Sequence, residues 1–139
     1  YGISNEVWSV TSFNMLRKDG MEIENENIKN PSTKGKQSFV TKSFSENDIP
    51  TVASTDYMRA YSEQIRPYMT SPYYTLGTDG FGRSDSREKL REFFEVDANN
   101  IVMTAAYALF KEGNLDEKEM QKIYKKRAPK KNKNPPWKE

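Results

Sequence analysis

The chain has 139 residues, of which 35% are hydrophobic and 30% are charged, and its mean hydropathy is −0.95. This length is sufficient for one domain with its own hydrophobic core. Because the sequence contains neither cysteine nor histidine, it excludes disulfides, Cys/His zinc sites, a cysteine nucleophile and any catalytic triad with a histidine base. No stretch approaches the ~20 apolar residues that a membrane-spanning helix needs.

The positive charge is concentrated at one end of the chain. Residues 125–139 contain seven lysines and arginines and one acidic residue, which leaves 15 basic and 19 acidic residues in the remainder. The sequence therefore predicts a folded domain at residues 1–125 and a basic, proline- and lysine-rich disordered tail at residues 126–139. Because so few charges on an unfolded segment bind polyanions weakly, we expect no nucleic-acid partner. We expect no membrane partner either.

Hydrophobic periodicity predicts short strands that alternate with helices. β-branched and aromatic residues predict the strands, and apolar residues at helical spacing predict the helices. The predicted elements, in chain order, are a strand at 6–11, a helix beginning near Phe13, a ragged helix that follows Gly20 and ends before Pro31, a short helix at 37–44, a strand at 51–55, a helix at 57–69 that Pro67 ends or kinks, a strand at 73–77, and helices at 86–94, 101–110 and 116–126.

Capping residues mark the ends of these helices. Ser12 or Asn14 is expected to cap the first helix and Asp97 the penultimate one, and Gly113 is expected to end the latter. For Asp56, which follows a predicted strand, a helix cap is favoured over a catalytic role. The order of the elements predicts an α/β fold with a mainly parallel sheet, although three strands make a thin sheet for this class.

The stretch GTDGFGRSDSRE, residues 77–88, lies between a predicted strand and a predicted helix. This is the topology of phosphate-binding sites. A Walker A loop, however, has a lysine where this sequence has Arg83, and a dinucleotide loop has a further glycine that is absent here. Asp79 and Asp85 would repel a phosphate, and Asp85 with Glu88 indicates a capping box. A structural turn is therefore favoured over an anion or partner contact, and a catalytic role is the least favoured.

Three segments carry a resemblance to a known family. The resemblance is to the C-terminal domain of homodimeric-type pyruvate dehydrogenase, the thiamine-diphosphate-dependent, acetyl-transferring component of the bacterial pyruvate dehydrogenase complex. It rests on EVWSVTSFNMLRKDG at 6–20, VASTDYMRAYSEQIRPY at 52–68 and YYTLGTDGFGRSDSREKLREFFEVD at 73–97. It implies a transketolase C-terminal-domain-like, three-layer α/β sandwich with a mostly parallel sheet. The first strand–helix unit of that sandwich has no counterpart, so the chain is expected to be an N-terminally truncated fragment.

The resemblance also implies an activity for the parent enzyme. That enzyme would decarboxylate pyruvate and transfer the acetyl group to the lipoyl group of dihydrolipoyl acetyltransferase, as a cytoplasmic homodimer that uses thiamine diphosphate and Mg²⁺. In the family those cofactors are bound by the two preceding domains, and no position of this sequence matches their ligands or the family's catalytic histidines. No catalytic, cofactor-binding or metal-binding residue is therefore assigned, and the fragment alone is expected to be inactive.

The role expected of this piece is to support domain packing and dimer assembly. The loop is expected to hold the domain against other domains of the same chain or against the second subunit, with Phe81 packed inward, Gly80 and Gly82 allowing a tight backbone, and a hydrogen-bonded cluster from Arg83 to Arg87. The structural or interface candidates are Asp79, Gly80, Phe81, Gly82, Arg83, Ser84, Asp85, Ser86 and Arg87. Two alternatives stay open: the C-terminal domain of another thiamine-dependent enzyme, such as a transketolase or another 2-oxo-acid dehydrogenase, and a stand-alone anion-binding module.

Overall fold

The computed structural model describes residues 1–45, 48–127 and 134–138. Within these residues the chain forms two strands, six helices and two short 3-10 turns. In chain order they are α1 (Phe13–Lys29), α2 (Phe39–Phe44), β1 (Thr51–Ser54), α3 (Ala60–Glu63), a 3-10 turn (Arg66–Tyr68), β2 (Tyr73–Leu76), α4 (Arg87–Phe93), α5 (Ala98–Lys111), α6 (Glu117–Arg127) and a second 3-10 turn (Pro136–Lys138). The helices predicted at 37–44, 86–94, 101–110 and 116–126 are confirmed, and so are the strands at 51–55 and 73–77.

The two strands form a parallel sheet. Thr51 pairs with Tyr73 and Ser54 with Leu76, and the chain passes from β1 to β2 through α3, because parallel neighbours need a crossover connection. The helix predicted at 57–69 is divided into α3 and the 3-10 turn, and Pro67 lies in that turn. A small parallel sheet among helices confirms the predicted α/β class.

The strand predicted at 6–11 is wrong, because this segment has no regular secondary structure. Val7 is 91% exposed, and the ring of Trp8 packs on Phe44 with 5.4 Å between the ring centroids. Strand-forming side chains stabilise a strand only when a neighbouring strand supplies backbone hydrogen bonds. Within the described part of the chain no strand pairs with this segment, so the sheet has two strands there instead of three.

Helices cover both faces of the sheet. Because successive side chains of a strand point to opposite faces, Tyr73 and Tyr74 contact different layers. Tyr73 is buried with Val40 of α2 and Ile65. Tyr74 meets Tyr107 of α5 edge-to-face, with 6.2 Å between the ring centroids. The arrangement is helix–sheet–helix, in agreement with the expected three layers. A second core lies between α5 and α6.

The first helix, α1, continues through Gly20, so the two separate helices predicted here are one helix of 17 residues. Ser12 is the N-cap, and its hydroxyl accepts a hydrogen bond from the backbone N–H of Met15 at 3.2 Å. Gly20 is buried, and a Cβ on it would lie 2.3 Å from Cε2 of Tyr68. The glycine is therefore required by packing against an aromatic ring, and it does not end the helix.

Side chains from the crossover contact the outer edge of β2. The guanidinium of Arg66 donates from Nη1 to the backbone oxygen of Tyr73 at 2.8 Å and from Nη2 to Oε1 of Glu63 at 2.8 Å. Thr75 donates its hydroxyl to the same carboxylate, and Tyr73 donates its phenol to the backbone oxygen of Ser62 at 2.9 Å. The hydrogen bond from Arg66 lowers the pKa of Glu63, whereas burial, with the nearby charge of Glu63, raises the pKa of Tyr73 to about 12.

Helices α5 and α6 form the last part of the domain. Asp97 is the N-cap of α5, accepting from the N–H of Asn100 at 2.9 Å, and Gly113 follows α5 in a left-handed conformation with φ of +76°, so both predicted signals are confirmed. Among the described residues, no helix combines the length and the apolar character that a membrane span requires.

The tail predicted at 126–139 falls partly outside the described residues, which omit 128–133 and 139. Residues 126 and 127 still belong to α6. Residues 134–138 include a 3-10 turn in which Pro136 is buried. The disorder predicted for residues 128–133 stays a prediction, whereas residues 134–138 contact the folded domain.

Candidate functional site

Two segments meet at the edge of the sheet where both parallel strands end. The first is residues 55–59, which follow β1. The second is residues 77–86, which follow β2 and are called here the strand-end loop. Thr78 donates its backbone N–H to the oxygen of Tyr57 at 2.9 Å and its hydroxyl to the backbone oxygen of Asp56, also at 2.9 Å. The first residues of the loop are therefore fixed to the segment that follows the other strand.

A charged pair completes this attachment. Asp79 accepts through Oδ1 from the backbone N–H of Arg59 at 2.9 Å, and its Oδ2 lies 3.4 Å from Nε of the same arginine. The backbone contact is a well-formed hydrogen bond, whereas the side-chain contact is an ion pair without hydrogen-bond geometry, since Arg59 Nε has no hydrogen-bond partner. Sequence reasoning singled out Asp79 but missed Arg59, because its partner lies 20 residues away and leaves no local signal.

Two of the three glycines in this stretch are required by close packing. A Cβ on Gly77 would lie 2.5 Å from the backbone nitrogen of Arg59, and one on Gly80 would lie 2.8 Å from the oxygen of Pro136. Gly80 also has a φ of +115°, which L-residues rarely adopt. The expectation for Gly82 is wrong, because a Cβ there would meet nothing within 4 Å and its φ is not positive.

Phe81 does not pack inward as expected. Its side chain is 84% exposed. The preceding residue, Gly80, lies against Pro136.

The second half of the loop is held by local contacts. The guanidinium of Arg83 lies over the ring of Phe93 in α4, with Cζ 3.9 Å from the ring centroid. Asp85 accepts from the N–H of Ser86 at 2.7 Å. The predicted capping box is wrong, because Ser86 and not Asp85 is the N-cap of α4 and accepts from the N–H of Lys89 at 3.4 Å. The wider cluster from Arg83 to Arg87 stays a prediction.

Asp56 does not cap a helix. Helix α3 begins only at Ala60, without a side-chain cap. The carboxylate of Asp56 instead pairs with Arg91 of α4, with 3.1 Å between Oδ2 and Nη2. Both side chains are more than one-third exposed, so the pair contributes little stability. It does connect the end of β1 to the helix that follows the loop.

An open groove of about 1230 Å³ lies between the end of β1, α4 and the start of α5. Both signs of charge line it: Arg87, Arg91, Arg127, Asp56, Glu88, Glu92, Glu95 and Asp97. Arg91 is paired with Asp56, and the backbone amide of Asn100 in the first turn of α5 is taken by the cap, Asp97. The groove therefore has no net preference for an anion, which weighs against the alternative of an anion-binding module.

The sequence comparisons assign this fold to a family. A family model described as "Transketolase-like TK C-terminal domain" matches residues 1–97. The chain belongs to this family. The match contains α1 to α4, both strands and the complete strand-end loop, whereas α5, α6 and residues 134–138 lie beyond it.

Three curated relatives of this transketolase-like C-terminal domain carry the name "Pyruvate dehydrogenase E1 component". The protein of Pseudomonas aeruginosa is 51% identical over 119 residues, which is 85% of this chain and 14% of the relative. That of Cupriavidus necator is 43% identical over 126 residues, 91% of this chain and 14% of the relative. That of Escherichia coli is 47% identical over 119 residues, which is 85% of this chain and 13% of the relative. The chain thus spans about one-seventh of the length of these relatives.

Among residues 1–45, 48–127 and 134–138, the side chains of this transketolase-like domain do not supply the ligands that a divalent cation on a diphosphate needs. Within the described ranges, no three histidine, cysteine, aspartate or glutamate side chains come together as metal ligands would. The carboxylate of Asp79, at the strand ends, already binds Arg59. No catalytic step is therefore assigned to residues of this chain.

Proposed function

We propose that this chain is the C-terminal domain of a thiamine-diphosphate-dependent pyruvate dehydrogenase. Identity of 43–51% to proteins named pyruvate dehydrogenase E1 component, over 83–91% of the chain, carries the proposal. The parent enzyme would decarboxylate pyruvate and pass the acetyl group to the lipoyl group of dihydrolipoyl acetyltransferase, in the cytoplasm. Thiamine diphosphate and Mg²⁺ would be bound by other parts of the parent protein, since the side chains described here do not fit them.

The domain itself would have a structural role, and the strand-end loop would carry it. The base of the loop is fixed by Thr78 and Asp79, and its tip presents Phe81, which is 84% exposed. Covering such a ring in an interface contributes about 1.5–3 kcal/mol. The loop would thus hold the domain against a neighbouring domain or against the second subunit of a homodimer.

The parent enzyme provides the test of the activity. The purified parent protein, supplied with thiamine diphosphate and Mg²⁺, should reduce an artificial electron acceptor only when pyruvate is present. A parent protein that binds thiamine diphosphate but acts on sugar phosphates and not on pyruvate would support a transketolase instead. Binding of inorganic phosphate to the strand-end loop, together with no activity, would support the anion-binding module.

The structural role is tested by changing the exposed ring. Phe81→Ser should weaken dimerisation of the parent protein by about ten- to a hundredfold, or lower its activity if the loop contacts a neighbouring domain. Ile28→Ser is the matched control, because Ile28 is 74% exposed but lies in α1, away from the loop. Analytical ultracentrifugation measures the dimer and the acceptor assay measures activity. If Phe81→Ser and Arg83→Ala both leave dimerisation and activity unchanged, the proposed role is contradicted.

A further inference from the structure

Residues 134–138, called here the C-terminal strap, pack on the strand-end loop. Pro136 is buried, and its carbonyl oxygen lies 2.8 Å from the position that a Cβ on Gly80 would occupy. The Cα of Trp137 lies 3.4 Å from the same position. The strap therefore crosses the loop at backbone distance, so the packing requires a residue without a side chain on the loop.

The strap also contacts the segment that follows β1. The guanidinium of Arg59 lies over the ring of Trp137, with 5.6 Å from Cζ to the ring centroid. The same arginine binds Asp79 through its backbone N–H and through its side chain. Arg59 is thus the residue at which the strap, the loop and the segment after β1 meet.

The contact is specific to one part of the loop. Gly80 carries both the positive φ and the close approach of Pro136, whereas a Cβ on Gly82, two residues later, meets nothing within 4 Å. The strap therefore restrains the first half of the loop, next to Thr78 and Asp79, and leaves the second half to its own contacts with α4.

We propose that the strap is a positioning element that locks the strand-end loop in place. It presses the backbone at Gly80 toward the strand ends and holds the side chain of Arg59 toward Asp79. Without it, the hydrogen bonds that fix the loop to the segment after β1 open more often. The orientation of Phe81 then varies, so the strap supports the contact assigned to the loop; only this last step rests on the proposed function.

Hydrogen–deuterium exchange of the parent protein tests the proposal. Three forms are compared: the natural chain, a strapless variant in which residues 134–138 are replaced by glycine and serine, and Trp137→Ala. The amides of Arg59 and Thr78 should exchange about tenfold faster in the strapless variant and in the same direction, to a smaller extent, in Trp137→Ala. Peptides from α1 serve as the internal control. Unchanged exchange at both amides, with α1 also unchanged, would overturn the proposal.

Paired glycine variants separate the strap contact from backbone strain. Gly80→Ala should speed exchange at Thr78 in the natural chain because of both the clash with Pro136 and the φ of +115°. In the strapless background only the strain remains, so the effect should be smaller. Gly82→Ala should have no effect in either background. An equal effect of Gly80→Ala in both backgrounds would show that the strap does not bear on the loop.

The outcomes distinguish this inference from the proposed function. Faster exchange in the strapless variant with unchanged dimerisation and activity supports the strap as a positioning element and contradicts the role assigned to the loop. Unchanged exchange in the strapless variant, combined with weaker dimerisation of Phe81→Ser, supports the role of the loop and contradicts the strap. If replacement of the strap also speeds exchange in α1, the domain has unfolded globally. The exchange of Arg59 and Thr78 in Trp137→Ala then supports the proposal if it is faster and contradicts it if it is unchanged.

Discussion

Replacement of Gly20 by alanine should destabilise the protein, although alanine is the better helix former. In a solvent-exposed helix the change would stabilise by about 1 kcal/mol. Here the new methyl group would lie 2.3–2.5 Å from three ring atoms of Tyr68. Carbon atoms pack best about 3.5–4.0 Å apart, so the ring must move by about 1 Å. The ring packs against the core around Val40, so this movement would disturb that packing.

The expected magnitude follows from these two opposing terms. Overpacking of a well-filled site costs about 1–3 kcal/mol, and a displacement of this size places Gly20→Ala at the upper end. After subtraction of the gain in helix propensity, the free energy of unfolding should fall by about 1–2 kcal/mol. Chemical denaturation followed by circular dichroism measures this change, with linear extrapolation to zero denaturant.

The same substitution in a Tyr68→Ala protein tests whether the ring is the cause. In a Tyr68→Ala protein the obstructing ring is gone, so the same Gly20→Ala change should now stabilise, by about 1 kcal/mol. The sign reversal corresponds to a coupling of about 2–3 kcal/mol between Gly20 and Tyr68 in a double-mutant cycle. If Gly20→Ala has the same sign in both backgrounds, the close packing of α1 on the ring is not what requires glycine at this position.

Two further predictions concern a titrating group and a helix cap. Burial raises the pKa of Tyr73 from its ordinary 10.0 to about 12, so this tyrosine ionises first in the unfolded state. The free energy of unfolding should be constant below about pH 10 and fall by ~3 kcal/mol as the pH rises through about 12. Tyr73→Phe should lack this part of the alkaline loss, as measured by urea denaturation near pH 8 and near pH 11, and an identical loss in both proteins would refute the assignment. Asp97→Ala should cost about 1 kcal/mol because it removes the N-cap of α5. Asp97→Asn keeps an acceptor and should retain most of the stability, so equal losses in thermal unfolding would argue against a capping role.

Signals that depend on a few neighbouring residues could be predicted from the sequence. Asp97 and Gly113 were identified correctly because a cap is decided by residues within one helical turn. The segments at 51–55 and 73–77 became strands because they pair with each other. Residues 6–11 have an equally strong strand pattern but no partner among the described residues, so propensity alone did not produce a strand.

The candidate site was predicted in outline only. The loop is where the sequence placed it, but two features of the site depend on residues far away in the chain. Asp56 pairs with a residue 35 positions further on instead of capping the next helix. Gly80 is glycine because Pro136 crosses it. Contacts of this kind leave no periodic pattern in a sequence, so local reasoning assigned them to the nearest plausible neighbour.

The contacts of Arg66 have a consequence for the outer edge of the sheet. A strand at the border of a sheet offers outward carbonyl and amide groups that can recruit a strand from another molecule. On β2 the outward carbonyl of Tyr73 already accepts a hydrogen bond from Arg66, and Thr75 is engaged by Glu63. The guanidinium of Arg66 therefore occupies one outward acceptor of β2, and a strand from another molecule would have to displace it before pairing at Tyr73.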